Sequence, residues 1–153
     1  MGEWAVGAKE GILESGAVGS CVVIVLYDPS SSSGGMAHAM LPSRTNLLFS
    51  KEGGIDFRGK FADEAVSALV QAMEKLRIKK ENLRATLAGG AQMFALFGRG
   101  EEHIGFQNVS AARRRLSELG IPIESSDTGG HVGRGVRLDL STGKVSIRKA
   151  VEE

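Results

Sequence analysis

The fold that we expect is decided by residues 21–27, CVVIVLY, which hold the longest apolar run in the chain. This run follows a glycine-rich turn, residues 16–20, and leads into Asp28-Pro29 and a series of serines. Aspartate followed by proline is typical of a type I turn, so the sequence predicts a β-hairpin that reverses at Pro29-Ser30. The returning strand is expected at residues 36–41, MAHAML.

This hairpin predicts a pair of reactive side chains. With the turn at Pro29-Ser30, Asp28 pairs with Ser31 and, further along both strands, Cys21 faces His38. The Cβ atoms of directly opposed residues lie about 4.5–5.5 Å apart, at which distance a thiol can lose its proton to an imidazole. We therefore expect Cys21 as nucleophile, with His38 as general base and then general acid.

Each of these residues also has a simpler interpretation. A lone cysteine is more often a small core residue, and a lone histidine is more often structural. The position after a Gly-x-x-Gly-Ser turn favours reactivity, because the backbone N–H groups of Gly19, Ser20 and Cys21 are expected to lower the thiol pKa and to form an oxyanion hole. Ser15 is the candidate to orient the imidazole, and a turn-forming serine is the alternative.

Composition excludes several classes of function. The chain has 153 residues, of which 42% are hydrophobic. This is long enough to bury the core of one domain, which we expect to span residues 1–153. A formal charge of +1 and 5% aromatic residues argue against a nucleic-acid groove, a membrane-surface patch or a base-stacking platform. The apolar run 22–27 is far shorter than the roughly 20 residues that cross a bilayer, and we expect no secretory signal. A single cysteine is typical of a protein in the reducing cytoplasm.

Periodic apolar residues predict an amphipathic helix over Gly59–Ile78, and Asn108 is the expected N-cap of a second helix that stops at Gly120. The other expected elements are strands at 83–88, 122–125, 136–140 and 144–148, a hairpin turn at 141–143, a short helical piece at 92–97 and a mobile loop at 43–58. Strands and helices do not alternate strictly. We therefore expect an α/β layered domain, α+β-like, with a mixed sheet.

The remaining histidines and glycines are not assigned to the site. His103 and His131 lie in polar, glycine-containing stretches, where solvated histidines are common. One cysteine and three scattered histidines do not make a closed zinc site, so neither a metal nor a cofactor is expected. Residues 88–91 and 127–130 lack the Gly-Lys-Ser/Thr of a phosphate loop. Tight bends are their expected role, and admission of a substrate side chain is the alternative.

Several short motifs occur in a fixed order along the chain. They are GSC at 19–21, MAHAMLP at 36–42, KFAD at 60–63, AGGAQMF at 88–94, IGxxN at 104–108 and DTGG at 127–130. With these motifs, spread between about Trp4 and Arg148, the chain closely resembles the CheD family. That family comprises the chemoreceptor glutamine deamidases of bacterial and archaeal chemotaxis.

The resemblance implies a cysteine-hydrolase fold shared with toxin deamidases, in which adjacent strands carry the nucleophile and the base while helices pack outside. The family's catalytic cysteine falls on Cys21 and its histidine on His38. Its third residue, typically a threonine, falls on Ser15, which keeps the hydroxyl but lacks the branch that restrains χ1. The implied partners are the cytoplasmic helices of methyl-accepting receptors and the CheC phosphatase.

Two classes of function remain open at this point. The first is an enzyme that converts receptor glutamines to glutamate through a thioester and also cleaves glutamyl methyl esters, since only the leaving group differs. The second is a binding module that docks on receptors or on CheC and whose catalysis is secondary. A more distant alternative is an unrelated thiol hydrolase that acts on small amides.

Overall fold

Two helices, a five-stranded sheet and a three-stranded sheet form three successive layers of the computed structural model, which describes residues 2–44, 55–93 and 100–150. The strands are β1 (Trp4–Ala8), β2 (Ile12–Glu14), β3 (Val22–Asp28), β4 (Ser33–Ala39), β5 (Arg84–Gly89), β6 (Ile123–Thr128), β7 (Arg134–Asp139) and β8 (Val145–Lys149). The α-helices are α1 (Ala62–Lys75) and α2 (Ile104–Glu118).

The larger sheet has the strand order β1-β4-β3-β5-β6 and is mixed. Neighbouring strands are antiparallel except for β5 and β6, which run parallel. The smaller sheet is antiparallel with the order β2-β7-β8. The mixed sheet and the layered α/β architecture that we expected are confirmed, and both helices lie on the same face of the larger sheet.

The central strand β3 contributes to two cores. Side chains alternate between the faces of a strand, so Val22 and Ile24 pack against the helices while Val23 and Val25 pack against the smaller sheet. We call the first set the helix-side core and the second the inter-sheet core. Burial on both faces explains why the sequence of β3 is continuously hydrophobic rather than alternating.

Both helices end in Schellman motifs. At the end of α2, Gly120 has a φ of 72°, its N–H donates to Ser117, and the N–H of Ile121 donates to Leu116. The same arrangement ends α1, with Arg77 in the left-handed position at a φ of 66°. The end of the second helix at Gly120 is therefore confirmed. The first helix is shorter than Gly59–Ile78, because a 3-10 turn, Ile55–Lys60, precedes it.

The expected N-cap of the second helix is wrong. The cap lies five residues earlier, at His103, whose Nδ1 accepts a hydrogen bond from the N–H of Gly105 at 2.9 Å, and the helix begins at Ile104. Asn108 lies inside the helix and is fully buried.

The strands and the turn expected between residues 83 and 148 are confirmed within two or three residues at their ends. Strands β1 and β2 were not expected. Residues 45–54 of the expected loop 43–58 lie outside the described residues. The same is true of residues 94–97 of the expected helical piece 92–97, and its first two residues, Gln92 and Met93, are not helical. Within the described ranges, no helix is long and apolar enough to cross a membrane.

Candidate active site

The β3–β4 hairpin has a longer turn than the sequence suggests. The ladder closes at Asp28 and Ser33, not at Asp28 and Ser31, so the turn comprises residues 29–32. The carboxylate of Asp28 accepts hydrogen bonds from the backbone and hydroxyl of Ser30 and from the hydroxyl of Ser31, at 2.6–2.8 Å. Ser32 completes the reversal in the left-handed region, with a φ of 50°.

The longer turn changes the partner of His38. Every residue of β4 moves by two positions relative to β3, so His38 faces Val23, and the expected direct opposition of Cys21 and His38 is wrong. Cys21 lies one residue before the last pair, Val22 and Ala39. Because a shift of two positions preserves the face of each side chain, His38 still projects on the same side as Val23, where Cys21 also packs. The two residues are diagonal neighbours. Residues in this relationship typically lie about 7–8 Å apart, with their Cβ atoms somewhat closer.

The backbone around Cys21 is held on several sides. The carbonyl oxygen of Gly19 accepts from the N–H of Ala91 at 2.9 Å, and that of Cys21 accepts from the N–H of Gly90 at 2.8 Å. The Ser20 carbonyl between them accepts from Nδ2 of Asn108 at 2.9 Å. The turn that precedes β3 is therefore anchored to the segment after β5 and to α2.

The thiol of Cys21 is half-buried against the inter-sheet core. Burial raises its pKa, and the smaller effect of the Cys21 backbone N–H lowers it. The backbone N–H therefore acts on this pKa in the expected direction, but desolvation of the thiolate outweighs it and the pKa is raised overall. At neutral pH the resting cysteine is a thiol.

His38 is also a neutral group at rest. It is half-buried, and burial lowers its pKa, while the carboxylate of Glu3 acts in the opposite direction. Its Nε2 atom is buried and has no hydrogen-bond partner among the described residues. A buried imidazole nitrogen without a partner lowers stability, and such exceptions in native proteins include groups with a catalytic role.

Ser15 and His38 line the same pocket, which has a volume of about 390 Å³. Trp4 and Met36 contribute to its walls, whereas Cys21 is not part of its described lining. The Ser15 hydroxyl oxygen accepts from the N–H of Val136 at 3.0 Å, which leaves the hydroxyl proton to be donated elsewhere. The structure thus brings Ser15 to the imidazole side of the site.

The glycines at 89 and 90 form a tight bend beside Cys21, as expected. Gly89 and Gly90 have φ values of 105° and 66°. A Cβ atom on Gly89 would overlap the carbonyl oxygen of Cys21. A Cβ atom on Gly105 would lie 2.7 Å from the Gly90 carbonyl oxygen, so α2 approaches this bend backbone to backbone.

The two histidines excluded from the site differ in environment. His131 is exposed, with Nδ1 3.1 Å from the carbonyl oxygen of Gln92. His103 is fully buried, so the expectation that it is solvated is wrong. Among the described residues, no group of three or more His, Cys, Asp or Glu side chains is arranged to hold a metal ion.

Sequence reasoning did not assign Asn108 or Glu3 to the site. Asn108 is in register with the buried stripe of α2 at Ala112 and Leu116, four and eight residues later. This polar residue at helical spacing on an apolar face was the available signal. Glu3 lies directly before β1, a strand that the sequence analysis missed, and its carbonyl oxygen accepts from the N–H of His38.

The fold and the site together define a three-layer α/β protein in which a thiol and an imidazole project from one face of a sheet. Cysteine-dependent hydrolases use these two groups. A family model described as CheD chemotactic sensory transduction matches residues 40–149. The chain belongs to the CheD family.

Similar proteins are found in archaea and bacteria. The chain is 42% identical over 151 residues to the probable chemoreceptor glutamine deamidase CheD of Pyrococcus abyssi, covering 99% of this chain and 90% of that protein. It is 40% identical over 149 residues to the chemoreceptor glutamine deamidase CheD of Thermotoga maritima, covering 97% and 88%. The crystal structure of the hypothetical protein YfiH of Bacillus licheniformis has a TM-score of 0.43 at 15% identity, over 76% of this chain and 46% of that one.

Proposed function

We propose that this protein deamidates glutamine side chains of chemotaxis receptors to glutamate, with Cys21 as the nucleophile. The observation that carries the proposal is the placement of Cys21 and His38 on one sheet face at the ends of adjacent strands. It is supported by about 40% identity, over nearly the whole chain, to proteins named chemoreceptor glutamine deamidases.

The first half of the reaction starts from a neutral pair. As the sulfur of Cys21 attacks the carbonyl carbon of the glutamine carboxamide, His38 takes the thiol proton, so no stable thiolate is needed beforehand. The negative oxygen of the tetrahedral intermediate is stabilised by backbone N–H groups in the Gly19–Cys21 segment. His38 then protonates the departing nitrogen, the C–N bond breaks, and ammonia leaves a thioester on Cys21.

The second half of the reaction regenerates the enzyme. Water attacks the thioester carbon while His38 accepts one of its protons, and the C–S bond breaks to give glutamate. The proton returns from His38 to the sulfur of Cys21. The hydroxyl oxygen of Ser15 accepts a hydrogen bond from the N–H of the neutral imidazole, which leaves the other ring nitrogen able to take the proton, and so keeps the ring oriented through both halves.

The proposal also covers a second reaction, the cleavage of methyl esters, and the protein's binding partners. A glutamyl methyl ester differs from the amide only in its leaving group, so methylesterase activity accompanies deamidation. In this proposal the protein works in the cytoplasm on the cytoplasmic helices of methyl-accepting receptors, and the product glutamates retune signalling in adaptation. A CheC-type phosphatase is the proposed second partner.

The test is incubation with recombinant receptor cytoplasmic domains, followed by peptide mapping for glutamine-to-glutamate conversion. Parent protein is expected to convert specific glutamines, and Cys21→Ala is expected to convert none. Ser117→Ala, on the exposed face of α2, removes a comparable atom far from the site and is the matched control. Full conversion by Cys21→Ala would refute the assignment.

A second candidate function is a module that docks on receptors or on CheC. The raised pKa of Cys21 and its separation from the pocket that His38 lines favour this candidate. Stable binding of the parent protein to receptor fragments, with no converted glutamine after prolonged incubation, would decide in its favour.

A further inference from the structure

Asn108 connects helix α2 to both strands that carry site residues. Its side chain is 0% exposed. The amide nitrogen Nδ2 donates to the carbonyl oxygen of Ser20 at 2.9 Å and to that of Met40 at 3.1 Å. Both carbonyls lie just beyond the last β3–β4 pair, Val22 and Ala39, so the side chain supplies the donors that the ladder does not.

The Ser20 carbonyl is the middle one of three consecutive carbonyls that other elements hold. Its neighbours at Gly19 and Cys21 accept from the backbone N–H groups of Ala91 and Gly90. Among the residues that the structure describes, the Ser20–Cys21 peptide is the one of the three whose carbonyl is held by a side chain, that of Asn108. The orientation of this peptide can therefore be changed by a single substitution.

The fixed carbonyl also fixes the N–H of the nucleophile. In a trans peptide the C=O and N–H groups point in opposite directions. Since the Ser20 carbonyl points to Asn108, the Cys21 N–H points away from α2, and it interacts with the Cys21 thiol. An oxyanion on a carbon atom bonded to this sulfur forms beside that N–H.

We infer that Asn108 is a positioning residue, which holds the Ser20–Cys21 peptide so that the Cys21 N–H faces the oxyanion of an acyl-transfer reaction. The inference rests on the proposed function for its biological substrate. A receptor is not needed to test it, because a small ester forms the same kind of oxyanion on Cys21.

The experiment compares two reactions of the Cys21 thiol at one pH. Iodoacetamide forms an S–C bond as iodide leaves, without an oxyanion. In contrast, p-nitrophenyl acetate acylates the sulfur through a tetrahedral oxyanion and releases p-nitrophenolate. The ratio of acylation to alkylation rates therefore isolates oxyanion stabilisation from access to the thiol and from its protonation.

Asn108→Ser is expected to lower this ratio by about tenfold or more. Complete loss of one oxyanion donor lowers kcat by about 10²–10³-fold, and a donor that is only misplaced is expected to lower the rate less. The control is Leu116→Ala, at a buried position of the same helix, which creates a cavity without touching the Ser20 or Met40 carbonyls. It is expected to lower stability and leave the ratio unchanged. In the receptor assay, Asn108→Ser is expected to lower kcat and leave KM unchanged.

An unchanged ratio in folded Asn108→Ser overturns the inference, whatever the loss of stability. If circular dichroism shows that this variant does not fold, Asn108→Asp, which keeps the side-chain volume and replaces the amide donors with carboxyl oxygens, decides by the same ratio. Failure of the proposed function looks different: the parent is acylated by the ester but converts no receptor glutamine, and the ratio in the Asn108 variants still decides the inference.

Discussion

Glu3 faces His38 across the edge of the larger sheet. The N–H of His38 donates to the carbonyl oxygen of Glu3 at 2.9 Å, and the N–H of Gly2 donates to the carbonyl oxygen of His38 at 2.8 Å. Both Glu3 and His38 line the pocket that Ser15 also lines. Burial lowers the pKa of His38, and the Glu3 carboxylate offsets part of that lowering.

Glu3→Gln is expected to move the acid side of the pH–activity profile to lower pH. Without the carboxylate the pKa of His38 falls further, so the neutral base persists in more acidic solution. The measurement is receptor-glutamine conversion as a function of pH. Glu10→Gln removes the same charge from the turn after β1 and should leave the profile in place. A shift of the acid limb upward, or none, would contradict the role given to Glu3.

The Cys21 thiol is expected to react slowly with iodoacetamide at neutral pH and faster as the pH rises. Burial raises the pKa of this thiol, and only the thiolate reacts. The same protein unfolded in urea carries the same single thiol with an ordinary pKa, and it should react faster at pH 7 when both are followed by intact mass. Equal rates in the folded and unfolded protein would show that burial does not control this thiol.

Ser15→Ala is expected to slow glutamine conversion roughly tenfold, within the 100-fold or so that a misplacement of 1 Å can cost. It also removes the acceptor of the Val136 N–H at 3.0 Å, with a loss of about 1 kcal/mol in the free energy of unfolding. Ser15→Thr keeps the hydroxyl and restricts χ1, so it should retain the parent rate. Parent-like turnover by Ser15→Ala would rule out the orienting role.

Gly89→Ala is expected to be among the most harmful small substitutions near the site. The new Cβ overlaps the Cys21 carbonyl oxygen at a φ of 105°. Gly120→Ala, at a φ of 72° with no atom within 4 Å of the new Cβ, is the control that has a positive φ without a close contact. Urea unfolding should show a loss of about 1–2 kcal/mol for Gly120→Ala and about 1–3 kcal/mol more for Gly89→Ala. Equal losses would mean that the bend can move away from Cys21.

The secondary structure near the site could be predicted where local patterns are strong. Residues 22–26 are buried on both faces of β3, so the run is unmistakably hydrophobic. Both helices carry regular apolar stripes. Strands β1 and β2 have neither signal, because they are short and largely exposed; pairing with β4 and β7 defines them.

The sequence predicted on which face of the sheet the Cys21 and His38 side chains lie, but not which residues pair across β3 and β4. Two extra residues in the turn moved His38 from Cys21 to Val23 and preserved the side on which it projects. Those two residues belong to a run of serines, 30–33, whose hydrogen bonds to Asp28 decide where the turn closes. The role of Asn108 depends on carbonyls 68 and 88 positions away in sequence, which no local pattern reveals.

The burial of the sole cysteine also makes this protein a convenient host for a spectroscopic reporter. Glu74 is exposed on α1, in the layer that covers the opposite side of the larger sheet from Cys21. A Glu74→Cys variant offers maleimide dyes an accessible sulfur at neutral pH while the native one stays largely protonated. Binding of receptor fragments can then be followed by fluorescence in a protein whose reacting groups are intact.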